Sequence, residues 1–491
     1  MKLLRNIQRS LVMRAFKPVV VDDFRTWTGA SLTVASWHVA REIARRSRAE
    51  RVGILLPTSG LFPAATLAAW TAGRTAVPLN YLLSRSDLEY IAKDAGLDAV
   101  VTVGPMLEHI GGELPGIDHI RMDQMKFKGM PPVRIGARQP DDWTAIILYT
   151  SGTSGRPNAV MLSERNLRTN IDQVTQCARF TPADVMFGVL PQFHSFALTV
   201  LTLLPLRVGC RVVYSARFVP GQVLEHMRTH RPTVFVAIPS MYNALLLARS
   251  GLADDFSSLR YIVSGSEPLP DKVASAFHKK FGKRISEGYG LTETSPVTNW
   301  CLPDEFKPHS VGRPVPGVEE RIVAPDGRLL GPNEDGEIRI RGGNVMKGYF
   351  GLPELTAEAF DQDGFLKTGD MGRFDDNGHL FITGRIKEML IISGENVFPR
   401  EIEEVLNHHP LVKASAVVGL PDPGRGEIPV AFVELHEGAT WDEASVRTHC
   451  REKLPVYKVP REFRVLEALP RNPTGKVMRR ALSEQVRAEQ R

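Results

Sequence analysis

A stretch of six small residues after an apolar run constrains this chain more than any other part of it. Residues 146–148 are aliphatic, and Thr150 to Gly155 contains only threonine, serine and glycine. Glycines let a backbone approach a ligand closely, and hydroxyl and backbone N–H groups donate to phosphate oxygens. The pattern predicts a strand that ends in a phosphate-binding loop, although serine and glycine clusters also form ordinary turns.

This loop differs from the P-loop of nucleoside triphosphatases. No Gly-Lys-Ser or Gly-Lys-Thr follows it, and Pro157 comes directly after Arg156. We therefore expect that it does not open directly into a helix, as a P-loop does.

Length and composition predict a globular protein of two or more domains. The chain has 491 residues, more than one core usually covers, with 43% hydrophobic and 24% charged residues. Its four cysteines are far apart and form no C-x-x-C pair. They indicate a reducing compartment, hence the cytoplasm, and no structural zinc.

The charge pattern argues against a nucleic-acid role. A formal net charge of +6 suits a polyanionic substrate, but no basic stripe with interleaved aromatic residues occurs. The longest apolar run, residues 196–206, is interrupted by a proline and is too short to span a bilayer. No transmembrane segment is expected.

The first 21 residues carry five cations and no acid. Leu3, Leu4, Ile7 and Leu11 recur at helical spacing, which is also the pattern of a membrane-surface helix. A frayed basic terminus is the favoured interpretation, and peripheral membrane contact is the alternative. A secretory signal is not expected, because no sustained apolar region precedes a cleavage site.

From residue 31 the pattern alternates between helices and short buried strands. Helices are expected at 35–48, 61–72 and 86–95, and strands at 51–56, 75–79 and 98–103. This alternation predicts parallel sheets with right-handed crossovers. After residue 316, glycine-rich turns and short alternating strands predict a small β-rich unit, and after residue 386 a strand–helix–strand pattern returns.

Five motifs, in order, resemble those of the adenylate-forming superfamily of acyl-CoA synthetases, luciferases and peptide-synthetase adenylation domains. They are TSGTSGRP at 150–157, EGYGLTET at 287–294, TGD at 368–370, GRIKEMLIISGENVFPREIEE at 384–404 and NPTGK at 472–476. The resemblance implies a fold of the α/β (α+β) class. Residues 1–385 would form a large N-terminal domain of parallel α/β layers with a β-rich subdomain at 316–384, and 386–491 a small mobile α+β domain.

The same resemblance implies a site for ATP and a thiol acceptor. Tyr289 would stack on adenine, Asp370 would accept hydrogen bonds from the ribose hydroxyls, and Arg385 would contact ribose and phosphate. The residues expected to bind nucleotide or acceptor are Thr150, Ser151, Gly152, Thr153, Ser154, Gly155, Gly265, Ser266, Glu267, Gly288, Tyr289, Asp370, Arg385, Ser393, Gly394 and Glu395.

Four residues are expected to take part in the chemistry by resemblance. Lys476 would bridge the attacking carboxylate and the α-phosphate, Thr292 would reach that phosphate, and Glu293 would hold Mg²⁺ as an oxygen ligand. His194 and its aromatic neighbour Phe193 would border the acyl pocket.

Further positions follow from the same pattern. Tyr242 and Leu246 are candidate pocket walls, and Lys387 is the expected hinge between the domains. The 393–395 loop would approach the thiol in a second conformation.

The expected reaction is activation of a carboxylic acid by ATP and Mg²⁺, followed by thioester formation with CoA. Residues 189–213 and 264–313 resemble fatty acyl-CoA and acyl-carrier-protein synthetases. No charged group is evident in the presumed pocket, so a medium or long-chain fatty acid is expected. An aryl acid and an acyl carrier protein acceptor are alternatives.

Two other classes stay open from the sequence. A luciferase-type oxygenase would share every motif. A catalytically weakened relative is the other, because Asn158 and Ala159 replace the Lys-Gly usual after Pro157.

Overall fold

In a computed structural model of the chain, the structure describes residues 1–127, 129–134, 136, 138–150, 157–422, 424–471 and 477–489. The α-helices are α1 (Lys2–Met13), α2 (Gly29–Arg46), α3 (Leu61–Thr71), α4 (Arg85–Asp94), α5 (Gly104–His109), α6 (Glu164–Ala178), α7 (Leu204–Val208), α8 (Pro220–His230), α9 (Pro239–Leu247), α10 (Asp271–Phe281), α11 (Pro353–Ala359), α12 (Pro399–Asn407), α13 (Glu443–Lys453) and α14 (Arg479–Glu489).

The strands are β1 (Pro18–Val21), β2 (Thr26–Thr28), β3 (Arg51–Leu55), β4 (Thr75–Pro78), β5 (Ala99–Thr102), β6 (Asp118–Arg121), β7 (Thr144–Thr150), β8 (Asn158–Ser163), β9 (Val185–Gly188), β10 (Arg211–Tyr214), β11 (Val234–Ala237), β12 (Tyr261–Ser264), β13 (Ser286–Gly290), β14 (Val297–Trp300), β15 (Arg313–Pro314), β16 (Val318–Val323), β17 (Gly336–Gly342), β18 (Gly348–Tyr349), β19 (Leu366–Phe374), β20 (Leu380–Arg385), β21 (Leu390–Ile392), β22 (Glu395–Val397), β23 (Val412–Asp422), β24 (Gly426–Leu435) and β25 (Glu462–Leu466).

Two large sheets make up most of the N-terminal domain. The nine-stranded sheet has the order β15-β14-β13-β12-β11-β9-β10-β1-β2, and its central strands, from β13 to β1, run parallel. The seven-stranded sheet has the order β18-β8-β7-β4-β3-β5-β6, with parallel strands from β7 to β6. Strands buried on both faces read as continuous apolar runs, as β4 and β5 do.

Two smaller sheets follow along the chain. Strands β16, β17, β19 and β20 form an antiparallel sheet in that order. The C-terminal sheet has the order β22-β21-β24-β23, and β25 adds to β24 in parallel. One apolar cluster packs this sheet against α12 and α13, and another packs it against α14. A large N-terminal and a small C-terminal α+β domain are therefore present, and the predicted fold class is confirmed.

Local sequence explains where α2 begins, six residues before the predicted start. Thr28 accepts a hydrogen bond from the backbone of Ser31, and the Ser31 hydroxyl accepts one from the backbone of Thr28. This reciprocal capping satisfies two N–H groups that a helix otherwise leaves unpaired. The helix therefore begins at Gly29, well ahead of its apolar stretch.

The favoured interpretation of the N-terminus as a frayed segment is wrong. The α1 helix is formed, and Leu3, Leu4, Ile7 and Leu11 are buried in the main core. The helix packs on α2 and α7, and the backbone N–H of Leu3 donates to the buried Glu164 carboxylate. Its leucine face is therefore not available to a membrane, because the protein interior already covers it.

No helix in the described ranges is both long enough and apolar enough to cross a bilayer. The apolar stretch after His194 instead forms a π-helical segment (Ala197–Leu203) that continues into α7. All of its side chains are buried, so it is a core element.

Candidate active site

The carboxyl ends of the central parallel strands meet at one edge of the nine-stranded sheet. Strand β11 is paired with β12, which puts Ile238 next to Gly265, just beyond the two strand ends. Strand β13, which carries Gly288 and Tyr289, lies on the other side of β12. Ligands of open α/β sheets bind at such an edge, because the chain leaves the sheet there with free backbone donors.

Asp370 is the centre of a polar cluster at this edge. Its Oδ2 accepts a hydrogen bond from the Tyr289 hydroxyl at 2.7 Å, and its Oδ1 lies 2.8 Å from Arg385 Nε. The register of β19 and β20 makes Asp370 and Arg385 direct partners in the ladder. The carboxylate is only 3% exposed, so both of its oxygens are held by nearby donors rather than by water.

The charges in this cluster fix the protonation states of its members. Asp370 raises the pKa of the Arg385 guanidinium, so that group stays cationic. Burial, and then the Asp370 charge, raise the pKa of the Tyr289 phenol well above its usual value. Tyr289 therefore stays neutral and donates to Asp370, while its ring remains half-buried.

Glu293 lies near this cluster, on a short 3₁₀ turn (Thr292–Thr294). Its Oε1 accepts a hydrogen bond from the Tyr349 hydroxyl at 3.1 Å, and the Met346 backbone N–H donates to its carbonyl at 2.7 Å. Burial raises the pKa of the Glu293 carboxyl, and its own backbone N–H, the Tyr349 hydroxyl and the Arg385 charge partly offset that rise. A buried carboxylate of this kind is stabilised by a nearby cation.

The Glu293 carboxylate fits the Mg²⁺ ion expected from the sequence. Mg²⁺ is held in many sites by one or two protein carboxylates, together with water and substrate phosphates. Across the described ranges no cluster of three or more metal-ligating side chains occurs. A single oxygen ligand at Glu293, completed by the nucleotide, is the arrangement that these residues support.

Thr292 and His194 lie on two segments that are joined by a hydroxyl pair. The Thr292 and Ser195 hydroxyl oxygens lie 3.2 Å apart. His194 is exposed on a turn, and its backbone carbonyl accepts a hydrogen bond from the backbone N–H of Leu198 at 2.8 Å. The structure thus brings the predicted Thr292 and the His194 turn together.

Of the two phenylalanines near His194, Phe196 lies against Gly265 at the strand edge, whereas Phe193, the expected border of the acyl pocket, packs in the core. Phe193 is buried and packs edge-on against Tyr81, with ring centroids 4.9 Å apart. A Cβ added at Gly265 would lie 2.9 Å from the Phe196 ring, so that ring rests directly on the Gly265 backbone. Only glycine allows this approach.

Tyr242, a candidate pocket wall, lies in the core. It is fully buried, and its hydroxyl donates to the Val263 carbonyl at 2.8 Å. Leu246 packs on the same cluster beneath the sheet. These two residues stabilise the fold, because α9 turns them towards the core.

The adenine-loop residues follow β12 directly. Gly265 is buried, whereas Ser266 is exposed and has a left-handed backbone with φ of 69°. Glu267 comes next and is half-buried. Their place at the strand edge agrees with the expected nucleotide contact, and their contacts with a nucleotide remain a prediction.

The phosphate loop joins two antiparallel strands. Thr150 ends β7 and pairs with Asn158, the first residue of β8, and its hydroxyl donates to the Asn158 carbonyl at 3.4 Å. The chain therefore returns as a strand and not as a helix, which confirms the distinction from a P-loop. Ser151, Gly152, Thr153, Ser154 and Gly155 lie outside the described residues.

Lys476 also lies outside the described residues. Arg471 and Val477, on either side of the NPTGK stretch, form an antiparallel bridge. Ser393 and Gly394, with φ of 54° and 86°, form the exposed tip of the β21–β22 hairpin, and Glu395 begins β22. Two left-handed residues in succession give the turn that a two-residue hairpin loop needs.

The C-terminal domain contacts β20 and α10 of the large domain. Arg400 donates to the Ile382 carbonyl at 2.8 Å, and the Phe398 ring covers Gly384 so closely that a Cβ there would overlap it. On α10, Lys272 Nζ lies 2.9 Å from His436 Nε2. Asp271 Oδ2 lies 3.8 Å from His408 Nε2.

Sequence reasoning did not identify Tyr349, Ser195 and Phe196. Tyr349 lies outside every motif and reaches Glu293 only because β18 pairs with β8. Ser195 and Phe196 follow His194 directly, so the motif pointed to the correct turn. The direction of each side chain depends on how that turn enters the π-helical segment.

Two family models match the chain. The model described as AMP-binding enzyme matches residues 7–350, and the model described as AMP-binding enzyme C-terminal domain matches residues 401–476. Among curated relatives, a sulfoacetate–CoA ligase of Cupriavidus necator is 35% identical, covering 88% of this chain and 86% of the relative. A long-chain-fatty-acid–CoA ligase of Bacillus subtilis is 32% identical, covering 89% and 86%.

The fold matches solved structures of MatB from Rhodopseudomonas palustris. The ATP-bound form is 31% identical with a TM-score of 0.90, covering 98% of both chains. Its apo form gives a TM-score of 0.79 over the same coverage. The structure as a whole is thus more similar to the ATP-bound form than to the apo form.

These matches confirm the predicted acid–thiol ligase class, and they support the predicted use of ATP, Mg²⁺ and CoA. They extend over both domains. The chain therefore belongs to the AMP-binding enzyme family, the adenylate-forming enzymes, and is an AMP-forming acyl-CoA ligase.

Proposed function

We propose that the enzyme activates an unbranched medium or long-chain fatty acid and transfers it to CoA. The observation that carries this proposal is an apolar wall near Tyr289, Asp370 and Arg385, which we call the nucleotide cluster. Phe196 rests on Gly265, and Ile238 lies next to Gly265 just beyond the end of β11. The Thr292 hydroxyl oxygen lies 3.2 Å from that of Ser195, the residue before Phe196. An apolar wall suits an alkyl chain, whereas a second anionic group on the substrate would need a cation there.

The large domain binds and orients the nucleotide in the first half-reaction. Asp370 has further lone pairs for the ribose hydroxyls, and the Tyr289 ring offers a face for adenine. Mg²⁺ on Glu293 supplies neutralisation of the phosphate charge when bound. The acid carboxylate then attacks the α-phosphorus and the bond to pyrophosphate breaks, giving acyl-AMP; Thr292 and Lys476 stabilise the charge on that phosphate.

The second half-reaction transfers the acyl group. The thiol of CoA attacks the acyl carbonyl, its proton is lost, and AMP leaves, so a thioester forms. We propose that residues 386–491 turn about Lys387 between the two steps, which withdraws Lys476 and presents the Ser393, Gly394 and Glu395 hairpin. The greater similarity to the ATP-bound than to the apo MatB structure supports a movable domain.

The four cysteines bear on the cellular compartment in which the reaction takes place. All four cysteines are free thiols, as in a reducing compartment, so we place the enzyme in the cytoplasm. CoA is the proposed acceptor, and an acyl carrier protein remains the alternative. Light emission with luciferin would indicate the luciferase-type reaction instead.

A pyrophosphate-release assay over a panel of acids tests the substrate class. We expect kcat/KM to rise from butanoate to decanoate by up to about fourfold per methylene, because each buried methylene contributes about 0.8 kcal/mol. Benzoate, coumarate and sulfoacetate should be poor substrates. A profile that is flat with chain length, or that favours sulfoacetate or an aryl acid, would contradict the fatty-acid assignment.

A further inference from the structure

The outer face of α1 carries a stripe of cations followed by bulky apolar side chains. Lys2, Arg5, Arg9 and Val12 recur every three or four residues and are exposed, opposite the buried leucines. Phe16 continues this line just beyond the helix end. It is 93% exposed, and Met13 beside it is 75% exposed.

A second segment with the same character lies next to α1. Residues 122–143 connect β6 to β7, and the stretch 124–140 within them contains four cations and no acid, with Asp123 before it and Asp141 and Asp142 after it. Phe127, Met130 and Val133 are exposed there. Gln8 donates to the Arg134 carbonyl at 3.4 Å, and Gly136 packs directly on Leu4.

Two stretches far apart in sequence therefore form one basic, apolar surface. We call it the N-terminal surface and define it as the exposed residues of 2–17 and 124–140. Across the described ranges, Arg5, Arg9, Lys17, Lys126 and Arg138 form no ion pair with a carboxylate. Lys2 is paired with Asp141, which also binds Arg168.

We propose that the N-terminal surface docks the enzyme on an anionic phospholipid membrane. Cations without local partners keep their full attraction for anionic headgroups, and this attraction is strongest within a Debye length of the surface. Apolar side chains that project beside them can enter the boundary between headgroups and acyl chains. The charge and the apolar tips thus act at the same face.

The same chemistry disfavours a second copy of the chain as the occupant. A two-fold symmetric dimer through this surface would place it against itself, and its cations would then face one another. The proposal also differs from insertion of α1 through its leucines, because those side chains remain in the core. It is independent of which acid the enzyme activates.

Vesicle co-sedimentation with the full-length enzyme tests the proposal. We expect binding to phosphatidylcholine vesicles that contain phosphatidylserine, none to phosphatidylcholine alone, and release as salt is raised. Each cation removed should weaken binding about fivefold, the factor equivalent to about 1 kcal/mol, so Arg5→Gln with Arg9→Gln should weaken it about 25-fold. Phe16→Ser should weaken it about tenfold.

Matched variants on other faces serve as controls. Arg48→Gln with Arg451→Gln removes two exposed cations elsewhere, and Val456→Ser removes a side chain that is 86% exposed in the C-terminal domain. These controls should bind vesicles as the wild type does. Far-UV circular dichroism and pyrophosphate release in solution should be the same for all variants, which shows that they fold.

Three outcomes would overturn the proposal. The first is no binding to phosphatidylserine vesicles at low salt, and the second is equal loss of binding in the control variants. The third is a different partner, seen as a concentration-dependent dimer that Phe16→Ser abolishes, or as single-stranded DNA bound more tightly than vesicles.

Discussion

The nucleotide cluster and the joint between the domains are made of opposite kinds of contact. Asp370 is buried and held by both Tyr289 and Arg385 at hydrogen-bonding distance. At the joint, His408 and Asp271 are 44% and 37% exposed and lie 3.8 Å apart. Exposed ion pairs contribute only about 0–1 kcal/mol, whereas a buried charge that loses its partner is costly. We therefore expect the site to hold its shape and these exposed pairs of the joint to oppose a domain movement only weakly.

The largest expected effect comes from the small domain's contribution to the site. Lys476→Ala should slow adenylate formation on the order of a hundredfold or more, because a charge contact made in the transition state is lost. Thioester formation from supplied acyl-AMP should be nearly unchanged. Pyrophosphate release and thioester formation, measured separately, check this. Equal damage to both half-reactions would contradict a domain that withdraws Lys476 between them.

Asp370→Asn tests how far the nucleotide cluster depends on the buried charge of Asp370. The substitution removes the charge that Arg385 pairs with, and weakens the acceptor for the ribose. We expect kcat/KM for ATP to fall about thirtyfold, equivalent to about 2 kcal/mol. Asp335→Asn, which removes the exposed partner of Arg373 in the same subdomain, is the control and should be neutral. An effect of similar size in both variants would show that burial of Asp370 is unimportant.

Substitution of Asn158 tests whether the ATP site lacks one phosphate contact. It begins β8 opposite Thr150, at the foot of the phosphate loop. A lysine there would make a charge-assisted contact worth about 1.5–3 kcal/mol, against about 0.5–1.5 kcal/mol for the amide. Asn158→Lys should lower the KM for ATP about tenfold with little change in kcat. If KM is unchanged and Arg156→Ala is the damaging substitution, Arg156 already supplies the phosphate contact.

Gly265→Ala tests the acyl wall. The added methyl would press on the Phe196 ring, and overpacking of this kind costs about 1 kcal/mol or more. We expect the KM for the acid to rise about fivefold while the KM for ATP changes less. Gly221→Ala, where a Cβ would meet nothing within 4 Å, is the matched control. Adding Phe196→Leu should restore the KM, and failure to do so would place the strain elsewhere.

The smallest effect is expected at the joint itself. Lys272→Ala removes the contact with His436, both on exposed surfaces. Adenylate formation should change by no more than about twofold, because such contacts contribute little. Stopped-flow measurement of each half-reaction checks this, and a tenfold loss would mean that the joint is as rigid as the nucleotide cluster.

The motif residues Tyr289, Asp370 and Arg385 lie together in the structure for a physical reason. Asp370 lies in the middle of β19 and Arg385 ends β20, and the antiparallel register of these two strands makes them partners. Tyr289 reaches them from a strand that its own motif identified. Local sequence was sufficient for the Asp370–Arg385 pair, whereas the hydrogen bond from Tyr289 to Asp370 joins residues 81 positions apart and depends on how two sheets pack.

The sequence alone did not predict the contacts between residues that are far apart in the chain. The spacing of Leu3, Leu4, Ile7 and Leu11 predicted an apolar helix face but not the surface that receives it. Tyr349 reaches Glu293 from 56 residues away, through a strand pair with no motif. Whether Phe193 or Phe196 faces the site depends on a change of helical type immediately afterwards. Such choices are made by tertiary contacts, which a single sequence does not display.

The fit of Phe398 over Gly384 gives the joint a further property. A Cβ at Gly384 would overlap the Phe398 ring, so one methyl group there would disfavour this arrangement of the domains. Under the proposed rotation, each half-reaction would run only in the fraction of molecules that has the matching arrangement, and its apparent rate would scale with that fraction. The hydrogen atom on Gly384 would then help to set the division of time between activating an acid and delivering it.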